Sequence, residues 1–293
     1  MRIMLLGSNG MLGQMIGRHL KTDANDIYCI DKEGTDYCFD LLDNKRLKKC
    51  FADIRPDIVI NTAAIVSLEL CEKDPGGAYC LNARLPYFLG ELCREHHCYN
   101  VHISTDHYYC DEVNRVHKET DPVKLVNEYA RTKYIGEQMA LMYSNTLVLR
   151  TNIVGFRGTE RFTFIEWILT QFLNHKKMTL YTDFYTSSIH TADFSRILAD
   201  LLKLRPTGIF NLASSEVSSK KEFILGLVKK IYNSEPIYTD GSVFNVNQVQ
   251  RANSLGLDTQ KIEDLLGYRM PNLTETLDSI KQEYMERWIN NGL

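Results

Sequence analysis

A chain of 293 residues fits one large domain or two moderate ones around a sizeable core. Hydrophobic residues make up 44% and charged residues 24%, and 34 basic against 37 acidic side chains leave a net charge of −3. With no Lys/Arg cluster, that balance points away from nucleic-acid polymers and anionic membrane surfaces. Apolar runs such as "DIVINTAAIV" are too short to span a bilayer, and the apolar start "MRIMLLGSNG" meets glycine at once with no small-residue cleavage site. Neither membrane insertion nor a signal peptide is therefore expected. The eight cysteines lie between Cys29 and Cys110 without a C-x-x-C pair, so they read as free thiols in a reducing cytoplasm, and no metal site is expected.

In chain order, "RIMLL" is a short strand that runs into glycines, and "GMLGQMIGRHL" carries apolar residues at helical spacing. "DIYCI" is a second strand, ending in Asp31. "RPDIVIN" is a buried strand by its β-branched content, and it ends at Asn61. A long helical pattern follows Pro75, then the strand "NVHIS", stopping at Ser104–Thr105. "NEYARTKYIGEQMALMYS" is amphipathic without a breaker, and "TLVLRTN" is the next strand. This alternation with short links predicts an α/β fold of Rossmann type, a doubly wound parallel sheet covered by helices. Beyond it, "FTFIEWILTQFLN", "TADFSRILADLLKL" and "SKKEFILGLVKKIYN" read as helices with short strands "MTLYT" and "GIFNLA" between them. The expected division is a dinucleotide-binding domain over 1–151 and a smaller C-terminal α/β substrate lobe over 152–293, with segments returning to the sheet. Ligands of such sheets bind outside the strand ends.

The chemistry starts at "GSNGMLG", where Gly7, Gly10 and Gly13 follow a strand and open a helix. Glycines let the backbone approach a pyrophosphate, and the helix N-terminus offers free N–H groups and a positive dipole end. Asn9, Met11 and Leu12 belong to the same turn. Asp31 stands where an acid would bond the adenosine ribose, which favours NADH, whereas Lys32 next to it could meet a 2′-phosphate, which favours NADPH. Asp40, beside Leu41, reads either as a contact to adenine or as the N-cap of the helix in "LLDNKRLKK". Thr62, Ala63 and Ala64 end the "DIVIN" strand and leave room for a cofactor across the strand ends.

"STD", residues 104–106, ends another strand and points hydroxyls at the crevice. "EYARTK" places Tyr129 and Lys133 one helical turn apart, on one face. An ammonium beside a phenol lowers the phenol's pKa, and a phenol so tuned exchanges a proton with a carbonyl or hydroxyl oxygen. Thr105 could hold the same oxygen. Glycine loop, strand-end hydroxyl and Tyr/Lys pair, in that order, suit hydride transfer with a nicotinamide.

These stretches, with "HISTD", "IHTADFSRIL", "GIFNLASS" and "RANSLGLDTQKIEDLLGY", resemble the extended short-chain dehydrogenase/reductase superfamily, and within it the dTDP-4-dehydrorhamnose reductase family. The resemblance runs over nearly the whole chain. It implies that Tyr129 is the proton donor, that Lys133 lowers its pKa and bonds the nicotinamide ribose, that Thr105 orients the substrate oxygen, and that Asn82 supports the active site. Asp106, His107, Asn152 and Arg251 then fall on the substrate side. The implied reaction is reduction by NADPH or NADH of a 4-keto group on a nucleotide-activated deoxysugar, in polysaccharide or glycoside synthesis, with a homodimer as the assembly by analogy. The chain departs from the family's pattern at "HYYCD" after "STD", at Asn152-Ile153 where a Ser-Trp pair is usual, at "TDFYTSSIH", and at Ala130 in place of a glycine after the tyrosine. The first three departures lie on the substrate side. An epimerase or dehydratase of the same superfamily, or a non-catalytic dinucleotide-binding regulatory subunit, are the alternatives.

Overall fold

A computed structural model describes residues 1–111, 115–158, 162–245 and 249–289. Seven parallel strands form the main sheet, in the spatial order Gly208–Asn211, Thr146–Arg150, Tyr99–Ile103, Ile58–Asn61, Arg2–Leu6, Asp26–Asp31 and Tyr37–Cys38. Chain order reverses between Arg2–Leu6 and Ile58–Asn61, which opens a crevice outside their C-terminal ends. The glycine turn at Gly7 and the Thr62–Ala64 segment both leave the sheet there.

The central strands are buried on both faces, which is why they read as unbroken apolar runs. Ile3 and Leu5 face the helices Met11–Leu20 and Thr191–Leu204, while Met4 and Leu6 face Asn44–Ile54 and Leu85–Glu95. Each fully buried Leu or Ile contributes roughly 1.5–3 kcal/mol. One face is thus covered by a helix from the second half of the chain, and Gly208–Asn211 closes the sheet edge against Thr146–Arg150. The rest of that half builds its own core around Phe156, Ile165, Ile168, Phe223, Leu227 and Ile280. Ser218–Ser219, Tyr185–Thr186, Ser254–Leu257 and Val116–His117 form a second, four-stranded sheet.

Two local readings change. Asp40 is not a helix N-cap: the helix starts at Asn44, and Asp43 accepts the N–H groups of Lys45 and Arg46. Asp40 instead closes a turn by accepting Leu42 N–H at 3.0 Å. The long helix after Pro75, capped by Asp74, is interrupted by a π-turn at Cys80–Arg84, and Asn82 sits within it. Such turns re-aim side chains inside a helix. The eight cysteines are all free thiols.

Candidate active site

The glycine loop is tight for a physical reason. Gly7 has φ +76°, and a Cβ on it would lie 2.8 Å from both Ala63 N and Thr62 Oγ1. A Cβ on Gly13 would overlap Gly7 O and lie 2.7 Å from Ser8 Cα. No side chain caps the Met11–Leu20 helix, so the N–H groups of its first turn are left for a ligand. Asp31 accepts Asn9 N–H at 2.9 Å and Lys32 N–H at 2.8 Å, which fixes its carboxylate beside the loop. A close backbone approach, an uncapped helix start and an acid at the second strand's end together fit a dinucleotide.

Some expected contacts have other employment. Lys32 is paired with Asp40 at 3.2 Å. The Thr62 hydroxyl donates to Leu6 O at 2.7 Å and approaches Gly7 O at 3.1 Å, bracing the loop. Leu12 and Leu41 bury their side chains in the core, leaving their backbone to face a ligand.

The Glu128–Ala140 helix carries Tyr129 and Lys133 on its buried face. Its start is set by Asn127, which accepts Ala130 N–H at 2.8 Å and donates to Gln250 O at 2.9 Å. The helix packs closely on the π-turn, because Gly136 lets Asn82 O and Ala83 Cα approach where a Cβ would collide. Asn82 is used up in architecture. It accepts Ile65 N–H at 2.8 Å and donates to Ile65 O at 3.0 Å and Thr132 Oγ1 at 3.1 Å. It is a positioning residue that ties the 65-loop to the Tyr129 helix.

The Tyr/Lys electrostatics differ from the sequence expectation. Lys133 Nζ donates to Ile103 O at 2.7 Å, and burial pulls its pKa down to about 8. The Tyr129 phenol is pushed up, first by burial and then by Asp106, while the Thr105 hydroxyl works the other way. Desolvation disfavours the phenolate, and the Lys133 ammonium is turned to a backbone carbonyl. The ligand-free phenol is therefore fully protonated.

Beyond Tyr129 runs a chain of polar contacts among the residues expected on the substrate side. Thr105 Oγ1 donates to Asp106 Oδ1 at 3.3 Å, Asn152 Nδ2 donates to Asp106 Oδ2 at 2.7 Å, and Ser188 Oγ donates to Asn152 Oδ1 at 2.7 Å. Burial raises the Asp106 carboxyl to about 7 against these bonds and the attraction of Lys220. His107 meets the Tyr129 ring edge-on, with centroids 5.4 Å apart. Burial, with Lys220 and Arg251 nearby, lowers its pKa to about 4, so its imidazole is neutral. Arg251 sits 3.6 Å from Glu69.

Lys220, from the start of the Lys220–Tyr232 helix, was not anticipated from sequence. "SSKKEF" reads as a capping box, which it is, through Ser219 and Glu222. The one available signal was a cation at the wrong end of a helix dipole. Also unforeseen is a buried pair behind the site. Arg150 donates to both Glu137 oxygens at 2.6 and 3.0 Å, and Glu137 accepts from Ser104 at 2.9 Å. Hollows of about 420 and 500 Å³ lie at the opposite, N-terminal ends of the strands, near Arg2, Arg55, His97 and Asn145. They contain none of the site residues, and the strand-end crevice is where the chemistry-bearing groups converge.

A family model described as "RmlD substrate binding domain" matches residues 1–286. Spore coat polysaccharide biosynthesis protein SpsK of Bacillus subtilis is 25% identical over 230 residues, covering 78% of this chain and 79% of that protein. The dTDP-4-dehydrorhamnose reductase of Aggregatibacter actinomycetemcomitans is 23% identical over 301 residues, covering 96% and 98%. The crystal structure of dTDP-4-dehydrorhamnose reductase from Bacillus anthracis in complex with NADP superposes with a TM-score of 0.87 at 22% identity, covering 96% of this chain and 99% of that one. That likeness bears on the fold.

Proposed function

The chain belongs to the RmlD substrate binding domain family, and from that membership and the crevice just described we propose that it reduces the 4-keto group of a nucleotide-linked deoxysugar with NADPH or NADH. The observation that carries the reading is that Tyr129 and Lys133 share the buried face of the Glu128–Ala140 helix, with Thr105 acting on the Tyr129 phenol and Lys133 bonded to Ile103 O near the end of the strand that leads into Thr105. The dinucleotide, when bound, supplies the hydride. Tyr129 donates its Oη proton toward the substrate carbonyl oxygen, and the Thr105 hydroxyl, turned from Asp106 when substrate is bound, donates to the same oxygen. As negative charge gathers there, Tyr129 gives up its Oη proton, and the product is the hydroxyl. An alkoxide is far more basic than a phenolate, so a raised phenol pKa leaves this transfer downhill and keeps the donor loaded at neutral pH. Lys133, with its pKa near 8, is mostly charged at pH 7 and steadies the phenolate left behind. Asn82 holds the helix that aims both groups. Among the described residues, no helix is long and apolar enough to cross a membrane. The free thiols accord with a cytosolic enzyme, and a homodimer is the assembly inferred by family analogy.

The test is absorbance at 340 nm with NADH or NADPH and a panel of nucleotide-linked 4-keto-6-deoxy sugars, alongside Tyr129→Phe. We expect oxidation with at least one sugar and a loss of about 10²- to 10⁴-fold in kcat for the variant at unchanged dinucleotide affinity. A near-normal rate in Tyr129→Phe would remove it from the mechanism. Dinucleotide binding without turnover of any sugar would count against the reductase.

A further inference from the structure

The two oxygens of the Asp106 carboxyl are held unequally. Asn152 Nδ2 donates to Oδ2 at 2.7 Å, whereas the Thr105 hydroxyl donates to Oδ1 at 3.3 Å. The short bond belongs to a longer chain, in which Ser188 Oγ donates to Asn152 Oδ1 at 2.7 Å and lies 3.0 Å from Thr186 Oγ1. A carboxylate only accepts, so Asn152 turns its NH₂ to Asp106 and its carbonyl to Ser188. Ser188, with its one proton given to Asn152, accepts from Thr186. The backbone sets this meeting: Ile189 N–H donates to Asn152 O at 2.8 Å, where Ile153–Val154 and Ile189–His190 pair in parallel. Thr105, Asp106, Thr186 and Ser188 are all buried. Thr105 is the loosely held member, since its other contact, accepting His107 N–H, is also 3.3 Å long.

We propose that Asn152, locked by Ser188, is a positioning residue that pins the Asp106 carboxyl and so leaves the Thr105 hydroxyl weakly held, free to turn to the carbonyl oxygen that is reduced. This rests on the reductase reading above. A hydroxyl bonds a carboxylate best at about 2.5–2.7 Å. The contact of 3.3 Å therefore orients Thr105 without competing strongly for its proton. An unpinned carboxyl would close on Thr105 and keep that proton, and the developing charge on the substrate oxygen would lose a donor. Asn152 and Ser188 lie in two separate stretches, "RTN" and "TDFYTSSIH", where the chain departs from the family's usual residues. In the folded chain those two departures are one hydrogen-bonded unit.

The test uses Asn152→Ala and Ser188→Ala, each alone and in an Asp106→Ala background, with dinucleotide affinity as the check on folding. On the nucleotide-linked 4-keto sugar that the wild type reduces, Asn152→Ala should lower kcat by about tenfold or more while KM moves less than about threefold. Ser188→Ala should act in the same direction by about threefold. With Asp106→Ala no carboxyl is left to retain the Thr105 proton, so turnover should persist, and adding Asn152→Ala should change kcat by less than about twofold. Equal losses in the two backgrounds, or no turnover in Asp106→Ala, would overturn the pin. The crystal structure of Asn152→Ala should show the Thr105–Asp106 contact shortened to about 2.7 Å, and a contact still at 3.3 Å would overturn it too. If the wild type reduces no sugar, the reductase reading fails, while that distance still decides the pin.

Discussion

Replacing Glu137 by Gln removes one charge from a fully enclosed ion pair. Glu137 is wholly buried and Arg150 is 2% exposed. Two charge-assisted bonds of 2.6 and 3.0 Å join them, and Arg150 also donates to Tyr109 Oη at 2.7 Å and Glu119 O at 3.1 Å, with its guanidinium 5.2 Å over the Tyr108 ring. With these anchors the guanidinium cannot swing out to water, so the substitution strands a buried positive charge. Breaking such a pair from one side costs about 3–5 kcal/mol. For a chain of this length, unfolding entropy of about 2.1 cal/mol/K per residue turns that into a fall in midpoint of about 5–8 °C. The loss should reach the site as well, because Glu137 bonds Ser104, the residue before Thr105, and lies two turns along the helix from Tyr129. Thermal unfolding followed by circular dichroism, with urea titration for the free energy, reads the first effect. The double variant Glu137→Leu with Arg150→Met should be more stable than Glu137→Gln alone, since it leaves no unpaired charge. A drop below about 1 kcal/mol in Glu137→Gln, or a double variant as unstable as the sum of its single changes, would refute the reasoning.

Three further outcomes follow from the geometry. In kcat/KM against pH, activity should decline through about 8 as Lys133 loses its proton; a flat profile between pH 7 and 9 in the wild type would contradict it. Gly13→Ala forces a Cβ into the Gly7 carbonyl and within 2.7 Å of Ser8 Cα, so dinucleotide affinity measured by fluorescence titration should fall by at least about tenfold, and an unchanged Kd would show the loop to be pliable. Asp31, fixed beside the loop while Lys32 is engaged by Asp40, should make NADH the better coenzyme; Asp31→Ala should shrink the NADH-over-NADPH ratio about tenfold, and a wild type that prefers NADPH would overturn the assignment.

The sequence by itself determined whatever depends on local periodicity and spacing. The apolar runs at 2–6 and 58–61, the glycines of "GSNGMLG" and the four-residue step from Tyr129 to Lys133 each carry their structural meaning within a dozen residues, and the parallel sheet and the shared helix face of Tyr129 and Lys133 follow from them. Tertiary structure decided what depends on desolvation and on distant partners. Tyr129 is raised rather than lowered because burial penalises its phenolate, while Lys133 bonds Ile103 O. Asp43 caps where Asp40 was a candidate, since only the backbone's path through the turn chooses between neighbouring acids. Lys220 reaches the Asp106 side from the far half of the chain, and Asn82 is drawn into holding Ile65 and Thr132. A charge's worth is set by the dielectric and the groups around it, and these exist only once the two halves of the chain have closed over the crevice.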